Sequence, residues 1–406
     1  MNRTNFLFLT ALRAALMGEK ANMEALAPEQ WREILHMAEV HKVLPMILES
    51  VHSCPGMEGL EEAELTMIRR RVRQQVIVQT MRTGEFLTLN RALREAGIKT
   101  LVVKGLICRQ LYPQPDQRPS GDEDVLVPED QFSLCCQVMA QAGMEPGTEE
   151  DGAYEVPFRK KGSPLYIELH KHLFPPESDA YGDLNRFFEN VFDRAVEVAV
   201  DGERVWTMAP ADHLFYLICH AFKHFLHSGF GIRQVCDIVL FADRYGGEIC
   251  WEQVLRSCEA IRAERFAAAI FRIGEKYLGI CSPEAFRAVE AEEMPLLFDL
   301  LEGGLYGDAS LSRKHSSNIT LESVTAQKQG KRARGAMGAS VFPPARKLSG
   351  RYPYLKERPW LLPVAWGQRL WQYSRETRKI RDSSAAEALK IGAERVELLR
   401  YYGIIR

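Results

Sequence analysis

Ser120-Gly-Asp-Glu-Asp124-Val-Leu-Val127 is the stretch on which the fold turns. Side chains on an extended strand point alternately to its two faces. Asp122 and Asp124 therefore share one face, and Glu123 points the other way and is excluded as a ligand. Val125, Leu126 and Val127 give the strand its apolar continuation. Two carboxylates on one side of a buried strand suit a hard divalent cation such as Mg²⁺, which takes oxygen ligands.

Upstream, residues 99–103 (Lys-Thr-Leu-Val-Val) read as a short strand, and Lys104-Gly105 leads into a helical run at 106–111. A proline-rich polar loop, 113–121, separates that run from the acidic strand. Downstream, a helix is expected at about 129–143 and strands at 154–158 and 165–170, joined by a Lys-Lys-Gly turn. In the last strand Tyr166, Glu168 and His170 share a face, while Leu165, Ile167 and Leu169 share the other. Glu168 is thus the third carboxylate of the site.

Gly105 lets a backbone approach a phosphate at a helix start, where unpaired N–H groups favour anions. Lys104 and Arg118 are placed to neutralise phosphate charge. Strand, glycine turn, helix, Asp-x-Asp and a later acid form the layout of nucleotidyl transfer. In that reaction an acceptor oxygen attacks the α-phosphorus of an NTP and pyrophosphate leaves. Asp122 and Asp124 would bridge Mg²⁺ (two ions are possible), and Glu168 would bind the second ion or take the acceptor proton.

The rest of the chain frames this core. With 406 residues, 46% hydrophobic and 26% charged, it has the composition of a globular protein. The net charge of −2 carries no strong nucleic-acid signal. Nine cysteines without paired spacing read as thiols of a reducing cytoplasm. The apolar run 6–12 is cut short by Arg13 and reads as an amphipathic helix, not a leader, and no stretch is apolar enough for a membrane span. The expected fold is α+β. A small mixed-sheet domain at 98–207 is flanked by a helical region at 1–97 and a helical domain at 208–305. A loop and tail at 306–406 end in a helix, and the polar stretch 310–338, with its basic run 331–334, is expected to be a flexible loop.

Four histidines, His213, His220, His224 and His227, fall on or beside one expected helix. Spacings of four and three bring the last three to one side. They read most simply as interface hydrogen-bonding groups, with His220 and Lys223 facing the nucleotide. A zinc-dependent hydrolase using this helix and Asp237 is the rival, although the HExxH order is absent. The tail interleaves Trp360, Trp366 and Trp371 with arginines, and reads as cationic stems packed over rings.

At these residues the chain resembles the nucleotidyltransferase superfamily, and more closely its family of uncharacterised nucleotidyltransferases. The resemblance rests on Lys104-Gly105, Tyr112-Pro113, Arg118, Asp122-Glu-Asp124-Val-Leu-Val127 and Glu168-Leu-His170. His220, Asp237, Phe342-Pro-Pro and Arg351-Tyr-Pro extend it over most of the chain. It implies a metal-dependent transferase acting on an NTP and an unidentified small-molecule or protein acceptor. The chain departs from the wider superfamily in having Lys-Gly where Gly-Ser is usual. A non-catalytic nucleotide-binding or interaction module of the same fold is the alternative.

Overall fold

The structure, a computed structural model, describes residues 1–147, 154–304, 311–330, 345–348, 352–368 and 385–406. Helices α1 (Arg3–Leu16), α2 (Pro28–Val40) and α3 (Leu44–Val51) form the N-terminal layer around Phe8, Trp31 and Ile47. Helix α4 (Glu62–Glu95) follows, with 34 residues. Its first half is largely exposed, and its second half buries Gln79, Thr83, Phe86 and Leu93 against the sheet domain. Gly97, at φ 76°, ends it with the Ile98 N–H bonded back to the Leu93 carbonyl. That left-handed position favours glycine.

The chain then builds β1 (Leu101–Val103), α5 (Gly105–Arg109), β2 (Glu123–Leu126), α6 (Phe132–Gln141), β3 (Met144–Pro146), β4 (Glu155–Lys160) and β5 (Tyr166–His170). The five strands make one mixed sheet in the order β1-β2-β5-β4-β3. Strand β2 runs antiparallel to β1 and parallel to β5. The parallel register sets Asp124 opposite Glu168 and Leu126 opposite His170. All four residues of β2 are buried, as a central strand requires. This is the expected mixed α+β architecture.

A second sheet was not foreseen. Strands β6 (Val196–Val200) and β7 (Glu203–Thr207) form a hairpin closed by Asp201-Gly202, both with positive φ. An Asp-Gly pair between alternating apolar residues is a strong signal for a two-residue turn.

Helices α7 (Pro210–Leu226) and α8 (Ile232–Tyr245) roof the sheet domain, and α9 (Trp251–Ala260), α10 (Glu264–Ile273), α11 (Glu284–Arg287) and α12 (Met294–Gly303) pack outside them. Part of the expected loop is instead helix α13 (Leu311–Lys328). Its hydroxyl-rich sequence hides a packing face, on which Ser316, Thr320 and Ser323 bond backbone carbonyls. The run 331–334 and Trp371 lie outside the described residues. Trp360 is exposed, whereas Leu348, Leu355 and Ala365 form a small separate cluster with Tyr352, Tyr354 and Trp366 around it.

The C-terminal helix Ala385–Tyr401 clamps this assembly. Arg395 bonds both Asp299 oxygens at 2.8 Å and the Phe225 carbonyl at the end of α7. Arg313 of α13 reaches the same aspartate (2.5 Å) and the Ser228 carbonyl (2.7 Å). Tyr402 donates to the Glu292 carbonyl and accepts from the Leu296 N–H. Among the described residues no helix is long and apolar enough to cross a membrane.

Candidate active site

Two opposed layers make the site. The floor is one face of the main sheet, where the inner strands β2 and β5 present Asp124, Glu168 and His170. Their ligand-capable atoms all lie within 4.8 Å of one another. The register explains this: Asp124 and Glu168 are paired neighbours, and His170 follows Glu168 on the same face. His170 Nε2 lies 3.2 Å from Asp124 Oδ1 and 3.9 Å from Glu168 Oε2. Its Nδ1 lies 3.4 Å from Glu155 Oε2 on the adjacent strand β4. A carboxylate near the second ring nitrogen helps orient a metal-binding histidine, although here Nδ1 makes no hydrogen bond among the described residues.

The electrostatics are those of crowded acids. Burial, then the Asp124 and Asp122 charges, push the Glu168 carboxyl up to about 7. Burial would raise Asp124 as well, but Lys104 and His170 outweigh it and hold that carboxyl below the usual range. Asp124 Oδ2 is buried and has no hydrogen-bond partner among the described residues. An orphan carboxylate oxygen, a second acid with a raised proton affinity and a converging imidazole fit a divalent cation.

Asp122 precedes β2 and is not held by its pleat. It lines the same cleft as Asp124, yet its carboxylate stands outside the tight group of three. Histidine, not a third carboxylate, completes that group. The sequence placed His170 on the face of Glu168, and that shared face was the signal for it.

Glu123 points away, as alternation requires. It is fully buried, pairs with Arg109 at 2.7 Å and accepts the Leu106 N–H at 2.8 Å. A Cβ on Gly105 would meet Glu123 Oε2 at 2.2 Å. The missing side chain of Gly105 therefore makes room for a protein carboxylate at the start of α5, and that carboxylate takes the Leu106 N–H. Gly105 still lines the cleft.

The roof comes from α7 and α8. Lys104 bonds Asp124 Oδ1 (2.8 Å) and donates to His220 Nε2 (3.0 Å). Burial and then the Lys104 charge keep His220 neutral, its pKa well below the usual value. His224 Nε2 lies 3.3 Å from His220 Nε2. His213, neutral for the same reason of burial, accepts the Lys104 backbone N–H at 3.3 Å. His227 turns to the Tyr181 hydroxyl, 2.7 Å away. The helix thus spreads its histidines over separate tasks, and among the described residues they supply no three-residue metal group. The Lys223 ammonium stands over the Tyr154 ring.

Arg118 sits deeper than a simple phosphate clamp. Its Nε and Nη2 grip Asp237 of α8 at 2.7 and 2.5 Å, and the Tyr112 hydroxyl donates to the same aspartate. Its Nη1 is buried without a partner among the described residues. The same holds for Arg233 Nε and Gln234 Oε1, two cleft-lining groups on the first turn of α8 that pattern reading did not single out. The residues lining the cleft therefore carry orphan donors on Arg118 and Arg233 and orphan acceptors on Gln234 and Asp124.

A small mixed sheet with paired acids on its inner strands beneath flanking helices is the architecture of a nucleotidyltransferase-like protein. The family model described as "uncharacterised nucleotidyltransferase" matches residues 27–279, well over half of the chain, and the chain belongs to that family. Among solved structures it is similar to an antigenic nucleotidyltransferase-like protein from Paracoccidioides brasiliensis, at 14% identity and a TM-score of 0.31. That match covers 50% of this chain and 93% of the other. No curated protein matches the chain.

Proposed function

We propose that this cleft moves a nucleoside monophosphate from an NTP to an acceptor, with release of pyrophosphate. Asp124, Glu168 and His170 would hold a divalent cation such as Mg²⁺, with Asp122 at the mouth as the outer carboxylate. Such a cation would neutralise the triphosphate and acidify the acceptor hydroxyl. The observation that carries the reading is the in-register pair Asp124–Glu168, with an unpartnered oxygen on Asp124 and with Arg118 and Arg233 lining the same cleft.

The chain's own residues divide the work. Lys104, Arg118 and Arg233 bind phosphate oxygens through donors already desolvated in the cleft, where charge-assisted bonds are strong. Gln234 Oε1 accepts from a ligand N–H or O–H. Helix α7 covers the reacting centre, and its neutral histidines add no competing positive charge. Tyr112, Asp237 and the two occupied nitrogens of Arg118 lock the clamp's orientation, so little freedom is lost on binding.

Pyrophosphate release with each of the four NTPs, in cell extract as the acceptor source, tests the proposal. Wild-type protein should release pyrophosphate and Asp124→Ala should not. Nucleotide bound without turnover on any acceptor would make the protein a binding module instead.

A further inference from the structure

We propose that Lys104 is a built-in counter-ion: it holds Asp124 until a divalent metal takes that carboxylate, and its displaced ammonium then binds the incoming nucleotide's phosphates. The inference rests on the metal and nucleotide reading of the cleft. It adds an exchange of partners at one carboxylate.

The geometry sets up the exchange. Lys104 Nζ lies 2.8 Å from Asp124 Oδ1, the oxygen that also faces His170 Nε2 at 3.2 Å. A cation held by Asp124, Glu168 and His170 draws on the same carboxylate. Ammonium and divalent metal at bonding distance from one carboxylate repel each other, and burial leaves that repulsion poorly screened. The two therefore compete.

The backbone points the same way. Lys104 adopts φ 56°, ψ −112°, a region that disfavours any residue with a side chain. Glycine would sit there at lower cost, yet the chain places lysine there and glycine next. His213 accepts the Lys104 N–H, and β1 and α5 fix the flanking residues, so the backbone is pinned. The side chain remains 17% exposed toward the cleft. Its two cleft partners, Asp124 and His220, lie on the floor and the roof. Displaced from the floor, the ammonium stays under the roof, beside Arg118 and Arg233, where phosphate would enter. Metal and nucleotide should then each strengthen the other's binding, a reciprocal linkage.

The test measures Mn²⁺ binding to the full chain by calorimetry, with and without a non-hydrolysable NTP analogue. Lys104→Met should bind Mn²⁺ about tenfold more tightly than wild type without nucleotide, because the competing charge is gone. Lys104→Arg keeps the competing charge and should not show that tightening of Mn²⁺ binding. The gain in Mn²⁺ affinity that the analogue gives wild type should shrink in Lys104→Met. Lys104→Gly removes the charge and relieves the backbone, so it serves if the methionine variant misfolds, with the same tightening expected. Unchanged or weaker Mn²⁺ binding in a cooperatively folded Lys104→Met or Lys104→Gly overturns the proposal. If Asp124→Ala still abolishes that binding, the metal site stands and only the role of Lys104 falls. Wild-type protein that takes up no Mn²⁺ removes the metal reading and this inference together.

Discussion

Glu123 and Arg109 face each other at 2.7 Å with neither side chain exposed to solvent. The pair lies behind the face of β2 that carries Asp124. Glu123 also receives the Leu106 N–H and the Ser120 hydroxyl, and so joins the strand to both segments that frame the cleft. Removing one partner strands a buried charge, which costs about 3–5 kcal/mol. Arg109→Met should lower unfolding stability by that order in a denaturant titration. The double replacement Arg109→Met, Glu123→Leu should recover part of the loss, and a purely additive result would contradict this account.

Gly105 and Gly84 make a matched pair. A Cβ at position 105 would strike Glu123 Oε2 at 2.2 Å and crowd the Asp122 carbonyl at 3.2 Å, whereas one at position 84 meets nothing within 4 Å. Gly105→Ala should destabilise by more than about 1 kcal/mol and deform the cleft. Gly84→Ala, inside α4, should stabilise by about 0.5–1 kcal/mol. Paired thermal melts would decide.

The donor set makes a statement about the metal. Carboxylate oxygens suit Mg²⁺ and Mn²⁺ alike, but an imidazole nitrogen favours the transition ion. Mn²⁺ should therefore bind more tightly than Mg²⁺, and His170→Asp should narrow the gap. Glu155→Gln, which weakens the group behind His170 Nδ1, should cost about tenfold in Mn²⁺ affinity. A wild-type site that prefers Mg²⁺ would exclude His170 as a ligand.

Turnover should depend on the acids. Asp124→Ala and Glu168→Gln should each cut pyrophosphate release by about a hundredfold or more, with the protein still folded. Asp122→Asn should cost less, since its carboxylate stands outside the tight group. Steady-state assays on the three variants would rank them.

Acid should unfold the protein through its buried histidines. Burial pulls His41 and His227 down to about 4, and His213 lower still, to about 3. The unfolded chain titrates them near 6.5 and so binds more protons than the folded one between those values. Each contribution is complete above pH 6.5 and is lost as pH falls toward the folded value, on the order of a few kcal/mol per histidine. Denaturant midpoints at pH 7 and pH 5 should differ in that direction, and His41→Gln should reduce the difference.

Much of the site was legible because strands encode facing at period two. Asp124, Glu168 and the outward turn of Glu123 all followed from alternation. The role of His170 was one step further along the same face. What sequence could not supply was long-range pairing. Arg118 meets Asp237 across 119 residues, and Lys104 meets Asp124 before any phosphate is considered. Helix α13 was obscured because its buried face is built from serine and threonine, residues that turns also use. The Asp201-Gly202 hairpin carries its turn signal in the sequence.

The clamp of Arg395 on Asp299 and on the end of α7 bears on how the protein is born. Synthesis runs from the N-terminus, and early segments fold first. The acids of the sheet leave the ribosome more than two hundred residues ahead of Arg395. Until that arginine emerges, the helix carrying His220 and Lys223 lacks the bond from Arg395 to its Phe225 carbonyl.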